Sequence, residues 1–341
     1  MVSRNGLSSA IALIAFVGVL APGAGVAAAD FYAGKTVDIT VSSDTGGGYD
    51  TYSRLLARHL ADHIPGKPTI IVQNMPGGGG LRVAQFLYAV AGKDGTTIGN
   101  IRASTMLDAA LGIRGDVDPT KYEWVGSMGS DTDVCSFWHT AGVRSFDDLK
   151  KKEVIVGASG KSAQNFSFPN AINHILGTKM KIVLGYKGAA DRILAVERGE
   201  LQGNCGINAS TLTSSWPKLL ADSELIAVIQ SGLKPYPALP KVPMTQSFAK
   251  TDEQRKILDT IFSQMDVARA YALPPDTPKE RVAIIRKAFL ETLKDPALAA
   301  DAKKTKVDID TTSGDGVAKI MADMATLPPD TKKKVRTAIG G

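Results

Sequence analysis

The sequence is poor in the features that usually announce chemistry. It has two cysteines and four histidines, and aromatic residues make up 6% of it. No GxxxxGK[ST] sequence is present, and the glycines at 77–80 lack the GxGxxG spacing with a later acidic residue, so the common nucleotide cradles are excluded. Gly157-Ala158-Ser159-Gly160-Lys161 is one residue short of a GxSxG elbow, and no histidine is placed persuasively behind it to act as base. His59 and His63 are four apart on an expected helix, but Leu60-Ala61-Asp62 between them does not make HExxH and no third ligand group accompanies them, so no metal and no cofactor is expected. Charge of one sign is not concentrated either. The net charge is +6, and the dense run Lys332-Lys333-Lys334 with Arg336 falls on the polar face of a terminal helix, which argues against nucleic acid as a partner.

Long apolar runs are also missing. Residues 10–20 form a short one after Arg4, broken by Pro22, Gly23 and Gly25 before about 20 apolar residues accumulate, and Ala27-Ala28-Ala29 offers small residues for cleavage. Residues 1–29 therefore read as an export signal, with cleavage near Ala29, a mature chain from Asp30 and a periplasmic location. Loss of Arg4 with that segment lowers the net charge by one, since no acidic residue precedes Asp30. No cysteine follows the small-residue cluster, so a lipid anchor is not available there. In an exported protein Cys135 and Cys205 are free to form a disulfide; two separate buried thiols fit their spacing as well.

What remains is ordinary globular material, 44% hydrophobic and 22% charged, and long enough for two lobes. Strand and helix patterns alternate, which predicts parallel sheets with helices on their faces. Strands are expected at 36–42, 69–73, 96–101, 153–156, 181–184, 201–206 and 225–229, and helices at 49–63, 80–90, 165–176 and 189–198. A proline-rich passage with Pro235, Pro237, Pro240 and Pro243 suits a crossing or surface loop. From 251 onward the pattern is helical, apart from a strand-like run at 267–272 that can return to the first sheet. The expected division is 30–129 plus 229–341 for lobe 1 and 130–228 for lobe 2.

Three strand-to-helix junctions stand out: Ser43-Asp44-Thr45-Gly46-Gly47-Gly48-Tyr49-Asp50, Asn74-Met75-Pro76-Gly77-Gly78-Gly79-Gly80, and Ala158-Ser159-Gly160-Lys161-Ser162-Ala163-Gln164-Asn165. A fourth, Gly185-Tyr186-Lys187-Gly188-Ala189-Ala190-Asp191, ends a strand in a glycine turn. Glycine lets a backbone approach a ligand, and the first amides of a helix lack internal partners and favour an anion. One such loop can simply turn the chain. Several on the same edge of α/β sheets point to a ligand beyond the carboxyl ends of the strands.

At these residues the chain resembles the Bug family, the extracytoplasmic solute receptors of tripartite tricarboxylate transporters. The resemblance is carried by GGGYDTYSRLLARHL, IIVQNMPGGGG, KDGTTIG, GYKGAADRILAVERGEL and ALPPDTPKERVAIIRKAFLETLKDP, in that order over nearly the whole mature length. It implies a two-lobed type II periplasmic binding protein fold that holds a carboxylate between lobes, chiefly on backbone amides and water. Its implied ligand set is Gly47, Gly48, Asp50, Gly78, Gly79, Arg102, Ser104 and Thr105 from one lobe. Ser159, Ser162, Asn165, Tyr186, Lys187, Gly188 and Ala189 come from the other. No catalytic residue is implied, and a monomer that docks on the membrane subunits of such a transporter is expected. A sensor that presents its solute to a membrane signalling partner is the alternative, and an exported hydrolase using Ser159 or Asp50 a more distant one. Three departures lie in the pocket walls. The 159–166 loop has Ser-Gly-Lys-Ser-Ala-Gln-Asn-Phe where the family shows GxGTxxH, Tyr49 replaces a smaller residue, and Asp94-Gly95-Thr96-Thr97-Ile98 stands for DGYTL. Lys161 and Arg102, facing the cleft, would favour an anion. Closure is expected about crossings near 127–130 and near Gln230.

Overall fold

The computed structural model describes residues 1–2, 31–113 and 116–341, so all but the first two residues of the expected export signal, and its expected cleavage point, lie outside the described residues. Two sheets form. Strands β1 (Thr36–Val41), β2 (Thr69–Asn74), β3 (Thr97–Ile101), β4 (Glu123–Ser127), β10 (Ala270–Leu273) and β11 (Thr312–Ser313) make the first, in the order β11-β4-β10-β3-β1-β2. Strands β5 (Asp133–Trp138), β6 (Val154–Ala158), β7 (Met180–Leu184), β8 (Gly203–Asn208) and β9 (Leu225–Ser231) make the second, in the order β7-β6-β8-β5-β9.

The sheets are mixed rather than parallel throughout, a correction to the alternation rule. β1 pairs parallel with β2 and β3, and β6 with β7 and β8, as strand-helix-strand crossovers require. β10 runs antiparallel between β3 and β4, while β5 runs antiparallel between β8 and β9. These exceptions are the strands that carry the chain between sheets or bring it back. β4 and β5, EWVGS and DVCSFW, are joined by only five residues across the crossing, and neither shows the alternation that would mark it in advance.

The lobe limits also shift. β9 continues to Ser231, paired with Asp133, so a boundary after residue 228 cuts the strand. Gln230 then binds the proline-rich loop back onto this lobe, its amide donating to the Leu239 carbonyl at 3.2 Å and its Oε1 accepting from Tyr236 N–H at 2.9 Å. Helices Lys279–Lys294 and Gly314–Ala325 pack on β4 in the first lobe. Helix Pro329–Ile339 instead lies on helix Gln164–Leu176 of the second, with Asn170 Nδ2 donating to the Ala338 carbonyl at 2.9 Å. One apolar core accordingly runs through both lobes, from Leu107 and Trp124 to Phe168, Phe262 and Val335. Among the described residues no helix is long and apolar enough to cross a membrane.

At the crossing, Arg269 and Asp131 form an ion pair at 2.9 Å, 0% and 1% exposed. Arg269 precedes β10 and also donates to Asn208 Oδ1 of the second lobe at 2.9 Å, while Asp131 accepts from Ser210 Oγ and from Thr132 N–H. Tyr49 and Tyr52 stack on the same guanidinium. Its removal would leave a buried carboxylate uncompensated, which costs about 3–5 kcal/mol.

Cys135 and Cys205 are opposite partners on β5 and β8 and are bonded to each other. The bond closes a loop of 70 residues, and chain entropy assigns such a loop about 4 kcal/mol. Replacement of both cysteines by alanine should lower the unfolding free energy by roughly that amount in urea titration, and reducing agent should do the same to the parent protein once unfolding exposes the bond.

Candidate functional site

Four helices of eight residues or more begin at one crevice between the lobes. From the first lobe come Gly48–His63, after N-cap Gly47, and Ala103–Ala110, after N-cap Arg102. From the second come Gln164–Leu176, after Ala163, and Ala189–Glu197, after Gly188. Each follows a strand whose carboxyl end faces the opposite lobe, so unpaired N–H groups point inward from both sides.

The lobes are nearly shut over this space. A cavity of about 30 Å3 is lined by Ser43, Asp44, Gly47, Gly48, Tyr49 and Arg102 on one side and by Gln164, Asn165, Gly188, Ala189, Arg192, Gly206, Ile207, Asn208 and Thr211 on the other. It has room for a water or two. Next to it, and sharing Arg102 as a wall, a second cavity of about 240 Å3 is bounded by Ser42, Pro76, Gly77, Gly79, Gly80, Ser159, Gly185, Tyr186 and Lys187.

Of the fifteen residues expected at the site, Gly47, Gly48, Arg102, Asn165, Gly188 and Ala189 border the smaller cavity, and Gly79, Ser159, Tyr186 and Lys187 border the larger. Asp50, Gly78, Ser104, Thr105 and Ser162 border neither. Asp50 is tied up. Burial pushes its carboxyl pKa up, but Arg54, the Gly46 N–H and Asn74 donate to it and outweigh burial, so it stays below the usual aspartate range. With Asn74 also donating to the Ser43 carbonyl at 3.0 Å, Asp50 knits the first loop to the end of β2. Ser104 and Thr105 are buried within helix Ala103–Ala110. Lys161 is exposed and faces Asp108 and Gly341 rather than the cleft. His59 and His63 pair with Asp301 and Asp295 at 3.2 and 3.0 Å, on separate carboxylates.

The glycines at 78 and 79 serve the contact between lobes. Both have left-handed φ, +57° and +72°. A Cβ at Gly79 would meet Ala163 N at 2.7 Å, and one at Gly160 would meet Gly79 N at 2.7 Å and the Gly78 carbonyl carbon at 2.9 Å. Backbone lies against backbone here, which only glycine permits. Tyr49 adds a buried link across the lobes, its hydroxyl donating to Gln164 Oε1 at 3.3 Å.

Arg192, Asn208 and Thr211 belong to the cavity without having been singled out. Arg192 is the informative one. It is 3% exposed, and its guanidinium reaches only carbonyls: Nε to Gly188 at 3.3 Å, Nη1 to Gly157 at 3.5 Å and Nη2 to Gly206 at 3.4 Å. Burial, then the nearby Arg102 cation, draws its pKa down to about 10. Arg102 is 5% exposed and donates to the Ser42 carbonyl at 3.2 Å, while its Nε has no partner. Among the described residues neither arginine has a carboxylate within ion-pair distance. A cation in the first turn of a helix opposes the helix dipole, and that misfit was the available signal for Arg192.

No family model matches the chain. In sequence it is 34% identical over 104 residues to Protein BugT of Bordetella pertussis, a match that spans 30% of each chain. In structure it resembles the periplasmic binding protein BugD with a TM-score of 0.70 at 18% identity, covering 89% of this chain and 97% of that one. The fold is that of a periplasmic binding protein. MatC of Rhodopseudomonas palustris, solved with bound malate, is similar in the same way, with a TM-score of 0.70 at 17% identity over 87% of this chain and 99% of that one. The likeness to Bug proteins noted from the motifs thus extends to the fold of nearly the whole chain, whereas the curated sequence match covers under a third of its length.

Beneath the cavity, Asp133 accepts from Asn208 Nδ2 at 3.0 Å and Gln164 Nε2 at 3.4 Å. Burial first and the neighbouring Asp131 second push its carboxyl up to about 7. A raised folded value means that its contribution to stability is complete below the ordinary aspartate pKa near 4 and is lost as pH rises through 7. Melting temperatures from pH 4 to 8 should therefore carry a downward component that Asp133→Asn removes. Gly160→Ala tests the close contact. Its methyl group should wedge the lobes, at about 1–3 kcal/mol against closure, and small-angle scattering should report a larger radius of gyration than for the parent protein.

Proposed function

We propose that this chain is a Bug-type solute receptor, exported to the periplasm, that captures a small organic anion between its lobes and delivers it as a monomer to the membrane subunits of a tripartite tricarboxylate-type transporter. One observation carries the reading. Arg102 and Arg192 enter the same cavity from opposite lobes, both nearly fully buried, and among the described residues neither has a carboxylate within ion-pair distance. Burying a charge without a counter-charge in direct contact is costly, so the arrangement favours an anion arriving from outside. The helix starts at Gly48, Ala103, Gln164 and Ala189 add oriented N–H groups to the same space. The relatives of similar fold include one that holds malate, a dicarboxylate.

Capture and release follow from the two-lobed plan. An open form docks the anion on one lobe, and the second lobe adds its arginine and amides on closing. The ligand favours the closed form only by those added contacts. The crossings at Met128–Thr132 and after Ser231 are the segments that would absorb the motion. No proton or covalent bond needs to move, since the arginines hold charge and the amides hold position.

A panel of small mono-, di- and tricarboxylates tests the reading by thermal shift. A true ligand at about 100 times its dissociation constant should add roughly 2.7 kcal/mol, and Arg192→Gln should abolish the shift while the protein still melts cooperatively. A flat response to every acid would reject the reading.

A further inference from the structure

Asp133 is the buried acid that anion capture leaves unused. It opens β5 just past the crossing, is 1% exposed, and lies beneath the smaller cavity rather than in its wall. Its Oδ1 accepts from the side-chain amides of Gln164 and Asn208, which do line that cavity. Its Oδ2 is buried and accepts nothing. The other end of each amide is held from the first lobe: Tyr49 donates to Gln164 Oε1 at 3.3 Å, and Arg269 donates to Asn208 Oδ1 at 2.9 Å. Two side-chain relays therefore run from first-lobe donors, through the cavity wall, to one carboxyl group of the second lobe.

No cation is placed to neutralise that carboxyl. The charged and titratable groups that face it are Asp131 just ahead of it on the chain, Arg269 from the approach to β10, Arg192 from helix Ala189–Glu197, and Arg102 and Tyr49 from the first-lobe wall. Arg269 is engaged by Asp131 at 2.9 Å, and among the described residues no cation lies within ion-pair distance of Asp133. A charged carboxylate with one oxygen unmet is far costlier to bury than a neutral carboxyl group. Parting of the lobes breaks the relay from Tyr49 and lets water reach Gln164 and Asn208, and there the charged form is tolerated. We propose that Asp133 is a proton-operated positioning residue: the closed lobes hold it protonated, the open lobes let it ionise, and closure takes up a proton.

The direction follows from linkage. Burial first and Asp131 second push the carboxyl up to about 7 in the closed form, whereas a hydrated aspartate ionises near 4. Between those values the closed form alone keeps its proton. The ratio of closed to open lobes then falls about tenfold for each pH unit as pH rises through that window, and levels off above it. Neutral Asp133 also removes a negative charge from beneath the two cavity arginines, so acid favours closure and anion retention together. Closure by this route needs no solute, so it stands or falls apart from the receptor reading.

Small-angle scattering of the ligand-free protein is the first test. Its radius of gyration should be smaller near pH 5 than near pH 8, and Asp133→Asn, neutral throughout, should keep the compact value at both. Carboxyl NMR of the Gly160→Ala variant, with its lobes wedged apart, supplies the reciprocal: Asp133 should titrate at least about one pH unit lower there than in the parent protein. A purely structural Asp133 would move neither readout. Equal radii at both pH values, a pH dependence that survives Asp133→Asn, or identical titration of Asp133 in parent and Gly160→Ala would overturn the proton-operated closure while leaving anion capture intact. If Asp133→Asn fails to fold, the comparison of parent and Gly160→Ala decides alone. Failure of every acid to bind, with the pH profile of the radius as expected, would remove the receptor reading and keep the proton linkage.

Discussion

The buried pair of Arg269 and Asp131 is the interaction on which the two-lobed arrangement depends. It stands where the chain passes from β4 to β5, and it draws groups from both lobes: Arg269 from the returning β10 side, Asn208 and Ser210 from the start of a second-lobe helix. Two rings of the first lobe, Tyr49 and Tyr52, cover the guanidinium. A pair of this kind is not a cheap source of stability, because desolvation offsets most of its attraction. It gives the crossing one arrangement instead, since any displacement would strand a charge in the core. The cavity lies directly above, with Asn208 shared between the ion pair and the cavity wall.

From that fixed point the rest of the site is a matter of how closely two sheets can approach. Gly78 and Gly79 meet Gly160 with main chain against main chain, and Gly188 leaves room for Asp44. The glycines thus set the closed distance, and the charged side chains act at that distance. Arg102 and Arg192 lie too deep to be hydrated as surface arginines are, so the cavity is polar, cationic and small at once.

Much of this was legible in the residues. Strands β1, β2, β3, β6 and β7 and the helices behind them were marked by the alternation of strand-like and helix-like segments, and the glycine-rich junctions between them lie at the edges of the sheets where the cavities are found. The run at 267–272 was visible as strand-like within an otherwise helical stretch, and its return to the first sheet as β10 could be anticipated. β4 and β5 were not, because their pairing partners lie far along the chain and their short apolar runs have no alternation to read. Asp50 was misleading for a physical reason: an acid in the first turn of a helix beside a glycine loop looks the same whether it serves a ligand or, as here, Arg54, Asn74 and the loop itself. Arg192 was hidden by the ordinary look of an arginine in an amphipathic helix, with only its awkward place near the helix start to distinguish it.

Helix Pro329–Ile339 ties to the second lobe a stretch of chain that otherwise belongs with the first. The lobes are consequently joined at three places instead of two. A hinge with a third strap off its axis cannot swing freely in every direction: rotation that would peel this helix from Gln164–Leu176 is resisted by the apolar seam between them, and what is left is a narrow twist about the seam.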